Sequence, residues 1–423
     1  MDCAKLKADI ERLREARNAF DAAVAATNDT GLGKIKCNKA MKRTSELEDE
    51  ILITYMEDAG EHNPELFHHF HYGEEIDGFH RDISSIVKLS DSEVLVCDLG
   101  ERSEMRILRK GEDGSWNYDS NSIDGFDGAI CLTFKLSDDE VLACGDDGET
   151  RILRKGEDGS WNYDSNGIDG FYGPIHSTLK LSDDEVLACG DDGETHILRK
   201  GEDGLWNYDS ISIDGFDNDV YSILKLSDDE VLVCGSFGET RILRKGEDGS
   251  WNYGDYIVGY RASARSTLRL SDSEVLVCGG IEGRSETRIL RKGKDGSWGY
   301  DRERIDGFDG SVAHSTLKLS DNEVLVCGGE FKRGETRILR KGEDGLWSYI
   351  DDNIDGFSFN EEILSTMKLS DSEVLVCGEN GDTRILHTDI DIDLDKLKQK
   401  LPEIAAKKDG ARTISRRARP VLF

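Results

Sequence analysis

"SDDEVLACGDDGETRILRKGEDGSWNYDSNGIDGF" occupies Ser137–Phe171, and nearly the same string begins again at Ser182. The signature LSDxE-VL recurs seven times, starting at Leu89, Leu136, Leu181, Leu226, Leu270, Leu319 and Leu369. Successive starts are separated by 47, 45, 45, 44, 49 and 50 residues. A fixed period inside the range of roughly 20–50 residues marks a repeat architecture, and it has to be read before any single motif.

The third copy shows what one repeat builds. IHSTLKLS (Ile175–Ser182) alternates apolar and polar side chains, the pattern of a strand with one covered face. EVLACG (Glu185–Gly190) is almost continuously apolar and suits a strand buried on both faces. ETHILRKG (Glu194–Gly201) and LWNYDS (Leu205–Ser210) supply two more strands, joined by an EDG hairpin turn. Four short antiparallel strands in one period make a propeller blade, whose faces are covered only by neighbouring blades.

Six copies carry an outer strand led by Trp116, Trp161, Trp206, Trp251, Trp298 or Trp347, and the seventh ends in TRILHTDIDID without one. Upstream of the first copy stands HFHYGEEIDGF (His69–Phe79), which aligns Phe70-His71-Tyr72 with the Trp-Asn-Tyr of SWNYDSNSIDGF (Ser115–Phe126). The expectation is an all-β seven-bladed propeller over residues 66–388, closed by an outer strand from about residues 68–73. Pairing the two ends of the array removes two exposed sheet edges.

Charge is unevenly spread. Of the net charge of −33, −30 falls on residues 76–387. Such a surface repels phosphate backbones and argues against a nucleic-acid partner. No window holds the roughly 20 apolar residues of a membrane span, and MDCAKLKADIERLREARNAF has no apolar signal core. Seven of the ten cysteines close the VLVC or VLAC run: Cys97, Cys144, Cys189, Cys234, Cys278, Cys327 and Cys377. Equivalent sites in successive blades cannot all come within disulfide reach, so these read as reduced core residues of a cytoplasmic protein. A basic tail leaves nuclear entry as a second location.

VLACGDDGETRILRKGEDGSWNY resembles the repeat of sialidase-type (Asp-box, or BNR) and photosystem-assembly-factor propellers. The box is degenerate: Ser115 suits its Thr position, while Gly111 and Asp113 stand where Asp and Gly belong. GPIHSTLKLSDDEVLACGDDGETHIL also resembles a WD-repeat, without the Trp-Asp end. The sialidase resemblance would imply an arginine cluster, a tyrosine nucleophile and an acid in the central cleft. The arginines that stand out recur once per blade instead, at Arg106, Arg151, Arg241, Arg288, Arg337 and Arg384. They are expected to pair with repeated carboxylates, such as those of LSDxE, and no catalytic residue and no cofactor is expected.

Strand order places the LSDxE and KGEDG turns together on one face, where the copies agree. The other two loops of each copy share the opposite face, where the copies differ, and the fifth reads IVGYRASARS (Ile257–Ser266) in place of IDGF. Loops on a rigid scaffold carry function. The candidate partner-binding residues are therefore Tyr172, His176, Tyr221, Phe237, Tyr260, Arg261, Arg265, Arg284, His314, Phe331, Lys332 and Arg333. Extra arginines in blades five and six, set on an acidic body, point to an acidic peptide.

The ring of Ser-Asp-x-Glu turns lacks the spacing of a calcium loop, and His62, His68, His69 and His71 lack a second paired motif, so no metal site is expected. Residues 1–65 read as a helical hairpin. Its apolar stripe, within residues 3–56, is suited to self-association or to a partner helix. Residues 389–423 read as a short amphipathic helix and a basic tail. The favoured function is a non-catalytic protein-interaction scaffold. The alternative is a carbohydrate-binding (lectin-like) or sialidase-like glycan-acting propeller, in which a tryptophan per blade stacks a sugar.

Overall fold

The apolar run EVLACG is continuous because both of its faces are covered. In the third blade Glu185–Gly190 is the second strand of an antiparallel sheet, between Ile175–Ser182 and Thr195–Lys200, with Trp206–Tyr208 outermost. Leu142 and Cys144 of blade two face Ile175, Val186 and Trp206 of blade three. Val141 and Ala143, pointing the other way, pack on Leu95, Cys97 and Ile107 of blade one. Each buried Val or Leu side chain is worth about 1.5–3 kcal/mol relative to exposure, so most of a blade's stability lies in its two seams.

The computed structural model describes residues 67–68, 70–164, 166–281, 284–308, 312–329, 334–342, 344–350, 354, 362–388 and 391–392. Residues His71–Thr388 form one compact unit, a seven-bladed propeller of seven four-stranded sheets. The first strands neighbour one another around a ring, from Ile83–Ser90 through to Ile363–Lys368 and back. The helical hairpin of 1–65, the helix of 393–401 and the basic tail lie outside the described residues. In the second unit Phe67–His68 pairs antiparallel with Asp391–Ile392.

The seventh sheet is completed by His71–Tyr72, which pairs with Thr383–His387. Tyr72 lies opposite Leu386 and His71 opposite His387. This is the register in which Tyr163 meets Leu153 and Asn162 meets Arg154. The expected closing strand is thus found at residues 71–72, while His68, expected within it, pairs elsewhere.

Blade seams are locked by the tyrosine of the outer strand. Tyr253 donates to Thr195 of the preceding blade at 2.9 Å, because the Thr195 hydroxyl proton is committed to the Gly193 carbonyl at 3.0 Å. The same tyrosine–threonine bond joins Tyr118 to Thr383, Tyr208 to Thr150, Tyr300 to Thr240, Tyr349 to Thr287 and Tyr72 to Thr336. Blade one carries Met105 at the threonine position, and Tyr163 donates to its sulfur at 2.9 Å. Seven such bonds run once around the ring.

The seven repeated cysteines are buried without disulfides. Burial pushes the thiols of Cys189, Cys234, Cys278, Cys327 and Cys377 up to about 12.

The rhythmic arginines pair with a repeated carboxylate, though not that of LSDxE. Arg106 binds Glu104 at 2.6 Å, and Arg151, Arg241, Arg288, Arg337 and Arg384 likewise bind the acid two residues earlier. Residues i and i+2 lie on one face of a strand, which brings them together. The LSDxE glutamate instead meets the second arginine of the third strand, as Glu140 meets Arg154, and a lysine of the next blade, as Lys200 meets Glu140 at 2.8 Å.

Candidate functional site

Backbone bonds sort the loops into two faces as expected. Lys155 N–H reaches Asp139 O, tying the third-to-fourth hairpin to the first-to-second turn. On the other face Asp146 N–H reaches Ala129 O and Ser236 N–H reaches Asp219 O, tying the second-to-third loop to the interblade crossover.

At that second face every first strand carries one residue too many. Ile175 pairs with Gly190 and Ser177 with Cys189, leaving His176 as the extra residue of a β-bulge. The same shift leaves Ser84, Cys131, Tyr221, Arg265, His314 and Leu364 in the other blades. A bulge re-aims a side chain out of the ladder. Seven equivalent positions on the innermost strands therefore present six kinds of side chain around one rim. His176, Tyr221, Arg265 and His314, expected among the partner-binding residues, thus stand at equivalent positions of the inner strands.

Neighbouring rim residues touch. His176 shares a 2.6 Å hydrogen bond with Asp191 and lies 5.3 Å, ring to ring, from Tyr221. The Arg265 guanidinium sits 3.9 Å over the Tyr221 ring. Tyr221 donates to Asp219 at 3.1 Å, and Asp219 also accepts from Ser236 Oγ and from Asp192 N–H. Burial opposes ionisation of Asp219, yet these donors overcome it and hold its carboxyl below the usual range. His314 stands 3.6 Å from Glu362. Burial, with Asp146, Asp191 and Asp147 nearby, pushes the Cys131 thiol up to about 11.

Tyr172, Phe237 and Arg261 are exposed on the loops of this face, and Arg284 is exposed at the start of the strand Arg284–Lys292. Tyr260 is not available there. It is 2% exposed and its hydroxyl donates to Glu286 O at 2.7 Å. The reason is that IVGY keeps the geometry of IDGF. Ile257 N–H bonds Thr240 O just as Ile168 bonds Thr150 O, and Tyr260 fills the phenylalanine socket against Tyr300. Phe331, Lys332 and Arg333 lie outside the described residues.

Phe237 is held in the left-handed region at φ +54°, with 69% of its surface exposed. Asp192 and Asn380 occupy the same turn position in other blades, and both suit that conformation better than an aromatic residue. Strained backbone clusters at functional sites, which keeps this exposed aromatic residue a candidate contact. Phe237→Asn is expected to raise stability by about 1 kcal/mol and to weaken partner binding, read by chemical denaturation and by capture in parallel. Unchanged binding would reduce Phe237 to drift.

Alongside these residues a groove of about 880 Å³ opens in blade five, lined among others by Arg261, Arg284, Arg302, Tyr256, Val258 and Ile281. Of these, the candidates drawn from the differences between copies are Arg261 and Arg284 alone. Arg302 precedes the IDGF motif, where YDSN in blades one and two becomes YDRE. Comparing that stretch across copies would have found it.

On the opposite face the tryptophans are buried between blades, each under a lysine ammonium such as Lys200 over Trp206 at 5.6 Å. Their rings are not presented to a sugar.

No protein-family model and no curated protein matches the chain. Among solved structures it is similar to the WD40 β-propeller domain of Doa1, with a TM-score of 0.57 at 15% identity, over 75% of this chain and 96% of that one. The likeness is one of fold. No helix among the described residues is long and apolar enough to cross a membrane.

Proposed function

We propose that this propeller is a non-catalytic interaction scaffold that binds a protein or peptide across the face carrying the bulges and the variable loops. One observation carries the reading. Six kinds of side chain stand at the seven bulge positions, while the strands behind them repeat almost unchanged. A sevenfold ligand would select seven like positions, whereas an asymmetric partner selects seven different ones. Similarity to a WD40 propeller supports the same class of role, on fold-level analogy alone. Buried, unpaired cysteines suit a reducing compartment such as the cytosol.

The test compares capture from native lysate by the intact chain and by one whose 257–266 and 328–334 loops carry a consensus repeat. A protein caught by the first and lost by the second is the expected result. Recovery of the same glycoproteins by both, released by free sugar, would instead favour the glycan-binding alternative.

A further inference from the structure

We infer that the blade-five groove takes an extended acidic peptide segment bearing an apolar side chain, a specific form of the protein-binding role proposed above, on which it rests. Five arginines line the groove against two carboxylates, Glu286 and Asp301. Those carboxylates are already engaged. Glu286 holds Arg288 with one oxygen and accepts Arg261 N–H and Ala262 N–H with the other, while Asp301 binds Arg291. Arg304 is matched by Asp306. Among the described residues, Arg261, Arg284 and Arg302 are left with exposed guanidiniums and no carboxylate.

The same positions carry the opposite character elsewhere in the chain. Arg261 stands where other copies have Asp127 or Asp217, and Val258 where they have Asp124, Asp169 and Asp214. Arg302 replaces Ser120 and Ser210. Blade five has thus inverted an acidic pattern in a protein whose net charge is −33. Its apolar wall is Tyr256, Val258 and Ile281, which are 41%, 73% and 38% exposed.

These features select among occupants. A lone phosphate would fill a small part of 880 Å³ and ignore the apolar wall. Nucleic acid would meet the acidic body around the groove. A peptide with carboxylates on either side of a Leu or Phe satisfies both, since guanidinium forks grip carboxylates bidentately and arginine and aromatic side chains anchor interfaces. The three arginines come from three separate segments, which suits charges spaced along a chain.

The experiment pans a phage-displayed library of random dodecapeptides on the full-length protein and on Arg261→Asp/Arg302→Ser. That variant restores residues other blades already carry at these positions, so folding is preserved. Wild-type protein should enrich peptides with acidic residues flanking an apolar one, and the variant should not. A fluorescein-labelled form of the enriched peptide should bind the variant at least about tenfold more weakly, and should weaken when its carboxylates become amides. Enrichment of neutral or basic peptides, equal binding by the variant, or no enrichment at all would overturn the assignment. So would a dimer in sedimentation that the variant dissolves, which would make a second copy the occupant. If the peptide result fails while loop replacement still abolishes partner capture, the groove is wrong and the scaffold role stands. If capture survives loop replacement, the scaffold role itself falls.

Discussion

Replacing Tyr72 by alanine is expected to open the ring at its seventh blade. The His71–Tyr72 strand pairs through two residues, whereas the other outer strands pair through three. It has no hairpin tying it to Thr383–His387, its partner across the sheet. Truncating a packed aromatic side chain costs about 3–5 kcal/mol, and here it also removes the bond to Thr336. Tyr208→Ala deletes the same group inside blade three, where the GEDG hairpin still holds the strand in place. Both variants should lose stability, but only Tyr72→Ala should speed amide exchange throughout Thr383–His387 and create a free edge that associates with other chains. Equal exchange in the two variants would mean that closure does not depend on this strand.

Gly193→Ala should be the most damaging single methyl added to a loop. Gly193 sits at φ +72°, and a β-carbon there would lie 2.0 Å from Phe216 O and 2.6 Å from its carbonyl carbon. Those are backbone atoms of the crossover into the next blade and cannot swing away. The Gly193 carbonyl also terminates the Tyr253–Thr195 chain, so a displaced loop pulls on the seam bond. Gly114 is the control, at φ +85° with nothing within 4 Å. Gly114→Ala should cost about 1 kcal/mol for the left-handed backbone alone. Gly193→Ala should cost about 3–4 kcal/mol, lowering Tm by several degrees more than the control. Matching losses would show that the interblade contact yields freely.

Blades, strand order and the two-faced arrangement were legible because a period and an alternation report burial directly. Closure was legible from one alignment, Phe70-His71-Tyr72 against Trp-Asn-Tyr. The bulges were not. In IHSTLKLS an extra residue leaves no mark, since His176 could equally continue the alternation. Tyr260 was misplaced because Ile257–Ser266 differs from IDGF by side chain while preserving its backbone role. The true partners of Arg106 and its equivalents were two residues away on the same strand, nearer than the LSDxE acids first assigned to them. Phe237 was found as an exposed aromatic residue, but its strained backbone is a property no residue name discloses.

Closure by the propeller's first-made strand also sets a timetable. His71–Tyr72 leaves the ribosome before any blade exists, and its partner His387 follows about 315 residues later, which at about 5–20 residues per second takes about 15–60 s. Through that interval the face of blade one that will cover Leu375, Cys377 and Ile385 has no neighbour, leaving Val94, Val96 and Trp116 uncovered. Of the propeller's own strands the one made first is the last to pair, and the nascent chain must keep it available until the seventh copy emerges.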